Sequence, residues 1–123
     1  MNTVGIIGGL SPQSTMTYYT GINEGVRARL GGRHNAKIII NSLDFGEFTS
    51  LKEKGDWVTQ SSLLCEAACS LEKAGADFIV LATNTMHKMA DDITSSVNIP
   101  FLHLADATAH EINKQGLEKI ALL

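Results

Sequence analysis

No cluster of basic residues occurs in these 123 residues, and the formal net charge is −3. That removes the electrostatic basis for binding nucleic acid or an anionic membrane. Apolar runs reach only strand length, far short of a membrane span. The opening Met1-Asn2-Thr3-Val4 has no basic n-region, so no signal peptide is expected and the cytoplasm is the expected compartment. Cysteine is scarce. Cys65 and Cys69 stand four apart in a helical pattern and read as small apolar residues at the edge of a buried stripe. A zinc site needs more ligands and no second Cys/His cluster is present, so neither a metal nor a disulfide is expected.

Nucleotide fingerprints are missing too. No Gly-Lys-Ser/Thr follows the early glycines, which excludes a P-loop. Gly5-x-x-Gly8-Gly9 is not G-x-G-x-x-G, and Asn41-Ser42-Leu43-Asp44 only loosely matches a strand ending on a ribose-binding acid. A tight strand-to-helix turn accounts for the glycine pair without a ligand.

What is present is a single domain, residues 1–123, with 44% apolar and 19% charged residues, a composition that suits a packed core. Strand and helix patterns alternate throughout. Thr3 to Ile7 reads as a strand closed by Gly8-Gly9. Ser11 can cap a helix whose first position is Pro12, with Tyr18, Tyr19, Ile22, Val26 and Leu30 at helical spacing and Gly31-Gly32 as its end. Lys37 to Asn41 reads as the second strand. Asp44 to Gly55 mixes acidic and basic residues and predicts no more than a short helical turn. A long helix is expected from Asp56 to Ala74, with Trp57, Leu64, Ala68 and Leu71 on one face, serving either a core or an interface. Asp77 to Ala82 is the third strand, and a helix carrying His87, Lys88, Asp91 and Asp92 starts near Thr85. Pro100 precedes the strand Phe101 to Leu104, a helix follows over Ala105 to Gln115, and Lys119 to Leu123 is a fifth strand.

Five strands separated by helices, several of them continuous apolar runs, imply an α/β fold with a doubly wound, mostly parallel sheet. Right-handed crossovers favour the flavodoxin-like order 2-1-3-4-5. Ending on an apolar strand suggests the first half of a larger protein. Ligands in such sheets bind where the strand order reverses, here between strands one and three. The loops Gly8 to Gln13 and Thr83 to Thr85 meet there, each leading into a helix N-terminus. Backbone N–H groups with Ser11, Gln13, Asn84 and Thr85 suit a small carboxylate or phosphate. His87 is close enough to tune the crevice but also fits a surface pair with Asp91, as Lys88 does with Asp92. His34, His103 and His110 read as structural or surface residues, Met86 and Met89 as packing residues, and Asp106 as a cap or surface acid. None of the histidines joins a readable nucleophile motif.

The same residues carry a family resemblance. Met1 to Gly9 with Leu10-Ser11-Pro12-Gln13-Ser14-Thr15, and Gly75-Ala76-Asp77-Phe78-Ile79-Val80 leading to Ala82-Thr83-Asn84-Thr85-Met86-His87, resemble the N-terminal domain of the aspartate/glutamate racemase superfamily. The likeness covers essentially the whole chain and is strongest to bacterial broad-specificity members. It implies inversion of an acidic amino acid at its α-carbon without pyridoxal phosphate, metal or other cofactor. It also implies two facing pseudo-symmetric domains, each supplying one acid/base, and a homodimer. The first catalytic cysteine of most members falls on Thr83, the carboxylate binders on Asn84 and Thr85, and the closing loop on Gly9, Leu10 and Ser11.

Three departures matter. Thr83 is a weaker acid than a thiol, and the resemblance implies that such Thr/Cys members use the two enantiomers unequally. The arginine that archaeal-type aspartate racemases carry after strand two is replaced by Asp44-Phe45-Gly46-Glu47-Phe48-Thr49. No Gly-Cys-Thr-Glu motif is present, so the second acid/base and its domain are missing and this half alone is expected to be inactive. Two other readings stay open: a non-catalytic binding module for small acidic amino acids, and a hydantoin racemase or arylmalonate decarboxylase-type enzyme, against which the Thr-Asn-Thr-Met-His stretch argues.

Overall fold

The computed structural model describes residues 2–10, 12–82 and 89–102. Its elements in chain order are β1 (Thr3–Gly8), α1 (Pro12–Leu30), β2 (Lys37–Ser42), α2 (Phe45–Glu53), α3 (Trp57–Lys73), β3 (Phe78–Leu81), α4 (Ala90–Ser96) and β4 (Phe101–Leu102). All strand pairs are parallel and the sheet order is β2-β1-β3-β4, so the expected 2-1-3-4 part of the topology is found. The expected fifth helix and fifth strand lie outside the described residues, as does the end of the fourth strand.

Parallel strands buried on both faces read as continuous apolar runs, and β1 and β3 do so because helices cover both sides. On one face Val4, Ile6 and Val80 pack with Ile22 and Val26 of α1. On the other, Ile7, Ile79 and Leu81 pack with Leu64, Ala68 and Leu71 of α3. Asp77 clips the start of the central pair. Its carboxylate accepts from the Thr3 N–H at 2.7 Å, and its own N–H donates to the Thr3 carbonyl at 2.8 Å. That double use explains why β3 begins at Phe78 rather than at Asp77.

Two expectations need correction. The segment after β2 holds a regular nine-residue helix, α2, rather than a turn. Asp44 is its N-cap, accepting from the Glu47 N–H at 3.0 Å, and Phe48 anchors the helix in the core. Trp57 does not belong to the buried face of α3, because the buried residue of that first turn is Gln60, whose amide donates to the Phe48 carbonyl of α2. Trp57 stays 44% exposed and Val58 82% exposed, and both line a shallow groove with Ser61, Cys65 and Asp92. The later part of α3 is core, as Leu64, Ala67, Ala68 and Leu71 are buried. The described part of the fourth helix is Ala90–Ser96, and its expected start near Thr85 lies outside the described residues; Met89 is buried and packs as expected.

A polar seam fastens α4 to α3. The Ser61 hydroxyl donates to the Asp92 carboxylate at 2.7 Å. The Cys65 and Cys69 thiols donate to the Asp92 and Ser96 carbonyls at 3.4 and 3.3 Å. The cysteines are therefore half-buried residues at the edge of the stripe, as their spacing suggests. No helix among the described residues is long and apolar enough to cross a membrane.

Candidate functional site

The carboxyl ends of β1 and β3 lie side by side at the centre of the sheet, with Ile7 paired to Leu81. Beyond that pair the Ala82 N–H donates to the Ile7 carbonyl at 3.0 Å. On the opposite side the Leu43 N–H, just past β2, donates to the Gly8 carbonyl at 2.8 Å. β1 is thus held to both neighbours up to Gly8, and the chain then turns out of the sheet. This is the point where the strand order reverses, with α1 the next described element after β1 and α4 the next after β3.

The turn is built from two glycines and one threonine. Gly9 has φ +87°, a left-handed conformation that disfavours residues with a Cβ, and a Cβ there would stand 2.1 Å from the Leu43 carbonyl oxygen. A Cβ on Gly8 would stand 2.7 Å from both Cγ2 and Oγ1 of Thr15. Thr15, in the first turn of α1 and 6% exposed, accepts a hydrogen bond from the Gly9 N–H at 3.1 Å. Sequence reasoning gave Thr15 no role of its own. The signal was a β-branched hydroxyl residue one helical turn into α1, immediately after a glycine pair.

Of the site residues expected from the sequence, Leu10 and Gln13 are described. The Leu10 side chain is buried in the cluster with Ile7, Phe48 and Leu64, leaving its backbone to the loop. Gln13 is exposed in the first turn of α1, and its carbonyl accepts from the Thr17 hydroxyl at 2.9 Å. Ser11, Thr83, Asn84, Thr85 and His87 lie outside the described residues, and so do the pairs proposed for His87 and Lys88. Asp44, the loose candidate for a ribose-binding acid, has its carboxylate engaged in capping α2. Among the described residues no three His, Cys, Asp or Glu side chains gather into a set that could hold a metal ion.

The arrangement can receive a small ligand at the carboxyl edge, against the β1–α1 turn. Ser42 and Gln13 near this edge are neutral, and Asp44 is acidic with its carboxylate committed to the α2 cap. Recognition of an anion there would rest on N–H and amide or hydroxyl donors rather than on a counter-charge.

Comparison with known proteins agrees with this geometry. The family model for the Asp/Glu/hydantoin racemases matches residues 7–123. The broad specificity amino-acid racemase RacX of Bacillus subtilis is 25% identical over 122 residues, covering 97% of this chain and 53% of that protein. A crystal structure from Yersinia pestis, named as a candidate Asp/Glu racemase, superposes with a TM-score of 0.85 at 55% identity, over 94% of this chain and 50% of that one. An aspartate racemase homologue from Pyrococcus horikoshii gives 0.81 at 40% identity, again over 94% of this chain and 50% of its own. An aspartate racemase from Picrophilus torridus shares the fold, with a TM-score of 0.70 at 20% identity over 98% of this chain and 86% of that one. The chain spans about half the length of the curated relative and of the first two structures it matches. With the family model matched over residues 7–123, the chain belongs to the Asp/Glu/hydantoin racemase family.

Proposed function

We propose that this chain is the first half of a cofactor-independent racemase that interconverts L- and D-aspartate or glutamate. The observation that supports this reading most is the close pairing of β1 with β3 at the point of strand reversal. It brings the glycine turn to the carboxyl edge of the sheet beside the end of β3, which the sequence continues into Thr83-Asn84-Thr85.

Racemisation needs a proton removed from one face of the α-carbon and another delivered to the opposite face. Loss of the α-proton moves negative charge toward the carboxylate, so donors aimed at that group lower the barrier. In this reading Asn84, Thr85 and the backbone of Leu10 and Ser11 hold the carboxylate, Gln13 and His87 border the ligand, and Thr83 serves one face. The stronger acid/base, a thiol, comes from a second domain. A thiol has a pKa of about 8.5, and a helix N-terminus lowers it further. A threonine hydroxyl is far less acidic, so Thr83 chiefly delivers a proton while the thiol removes one, which makes the two enantiomers unequal substrates. The reading places the enzyme in the cytoplasm as a homodimer.

The experiment is α-proton exchange in deuterated water, followed by NMR for both enantiomers of aspartate and glutamate. Protein containing both halves incorporates deuterium, and the 123-residue half alone does not. Incorporation by neither would overturn the racemase reading in favour of a domain that only binds small acids.

A further inference from the structure

We propose that Thr15 is a positioning residue for the ligand crevice, acting by drawing the Gly9 N–H away from β3. The inference rests on the reading of the crevice as a racemase half-site. In a parallel ladder one strand's N–H and C=O groups alternate between its two neighbours. On the β3 side the Ile7 carbonyl accepts from the Ala82 N–H at 3.0 Å. The next donor of β1 on that side is the Gly9 N–H, and continued pairing would give it to the Ala82 carbonyl. It goes instead to Thr15 Oγ1 at 3.1 Å. The β1–β3 ladder therefore stops one bond early, immediately before Thr83 in the sequence.

Three features make this a built arrangement. Thr15 is buried, so its hydroxyl meets the Gly9 N–H without competition from bulk water. Both branches of the side chain fill the space that a Cβ on Gly8 would take. The left-handed turn at Gly9 lies against the Leu43 backbone, so the loop is fixed from the β2 side as well. The Thr15 side chain joins the start of α1 to the end of β1 through this hydrogen bond. Its effect passes through the loop that the racemase reading places against the carboxylate.

Valine keeps the shape of threonine and removes the acceptor, leaving the buried Gly9 N–H without its partner. Serine keeps the acceptor and removes a methyl group. The test compares the wild-type chain with Thr15→Val and Thr15→Ser by amide NMR, reading Gly9 hydrogen exchange and titrating with L-aspartate and L-glutamate. In Thr15→Val, Gly9 exchange speeds up and amino-acid affinity falls, each by roughly five- to a hundredfold, the range expected when a buried donor loses its acceptor. The Val4, Ile6 and Ile79 amides keep their protection, and Thr15→Ser retains most of both properties. Thr15→Val with wild-type Gly9 protection and affinity would overturn the proposal, as would equal losses in serine and valine variants. If protein containing both halves binds neither amino acid, the racemase reading fails. The Gly9 exchange rates then decide the role of Thr15 by themselves.

Discussion

Gly9→Ala measures how tightly the β1–α1 turn is locked, and Gly31→Ala supplies its control. Both glycines have positive φ, +87° and +105° respectively. At both, alanine meets a left-handed penalty of about 1–2 kcal/mol, and at both it stabilises by about 0.4–1 kcal/mol through the unfolded chain. Those contributions largely cancel in the comparison. What differs is space. Nothing lies within 4 Å of a Cβ on Gly31, whereas a Cβ on Gly9 falls 2.1 Å from the Leu43 oxygen and 2.6 Å from the Leu43 nitrogen. Backbone cannot rotate aside as a side chain can, so the ends of β1 and β2 must separate. The hydrogen bond from Leu43 to Gly8 then breaks, at a net cost of about 1 kcal/mol. Overpacking adds about 1–3 kcal/mol more.

Gly9→Ala should therefore be less stable than Gly31→Ala by at least about 2 kcal/mol. In urea the m-value of a small domain is about 1–3 kcal/mol/M, so the midpoints should differ by roughly 1 M. Equilibrium urea denaturation followed by circular dichroism, with m-values checked for agreement, reads the difference directly. Midpoints that coincide would refute the close approach of the loop to β2.

Gln60 is fully buried, and its amide nitrogen donates to the Phe48 carbonyl at 3.0 Å while its Oε1 has no partner among the described residues. Gln60→Met, which fills the site without the orphan oxygen, should lie within about 1 kcal/mol of wild type. Gln60→Ala should cost about 2–5 kcal/mol through the cavity it leaves. Thermal unfolding that finds the two variants equally unstable would contradict this. Asp56 gives a pH prediction. The Thr59 hydroxyl and Thr59 N–H, donating at 2.7 and 3.1 Å, hold its carboxyl below the usual range, with Lys54 adding to the effect. A folded pKa below the unfolded one means that the stabilisation is complete above the unfolded value, about 3.9, and is lost as pH falls through the folded value. The melting temperature of wild type should exceed that of Asp56→Asn at neutral pH, with a gap that narrows below about pH 4. A gap that does not change with pH would count against the cap.

The sheet was legible because β1 and β3 need apolar residues on both faces, and the runs Val4-Gly5-Ile6-Ile7 and Phe78-Ile79-Val80-Leu81 supply them. The bounds of α1 were legible from Pro12 at its start and Gly31 after its end. α2 was hidden because Phe48 is its one buried residue, while Phe45 is exposed and Gly46 weakens the helical pattern. Its start was nonetheless written in Asp44-x-x-Glu47, the spacing of a capping box. Periodicity put Trp57 on the same face as Leu64, but the buried position in the first turn of α3 is Gln60, held to Phe48 of α2, and periodicity carries no information about where a neighbouring layer lies. Thr15 was missed for another reason. Its partner is a backbone N–H freed by the geometry of a turn, and no side-chain pattern encodes such a partner.

The central claim is that Thr83 serves one face of the α-carbon in a racemase whose other acid/base lies in a second domain. The measurement that tests it most directly is α-deuteration of L- and D-glutamate and aspartate by protein containing both halves, wild type beside Thr83→Ala. The account predicts exchange by wild type, faster from one enantiomer, and its loss in Thr83→Ala with substrate binding retained. Undiminished exchange and racemisation of both enantiomers by Thr83→Ala would contradict it.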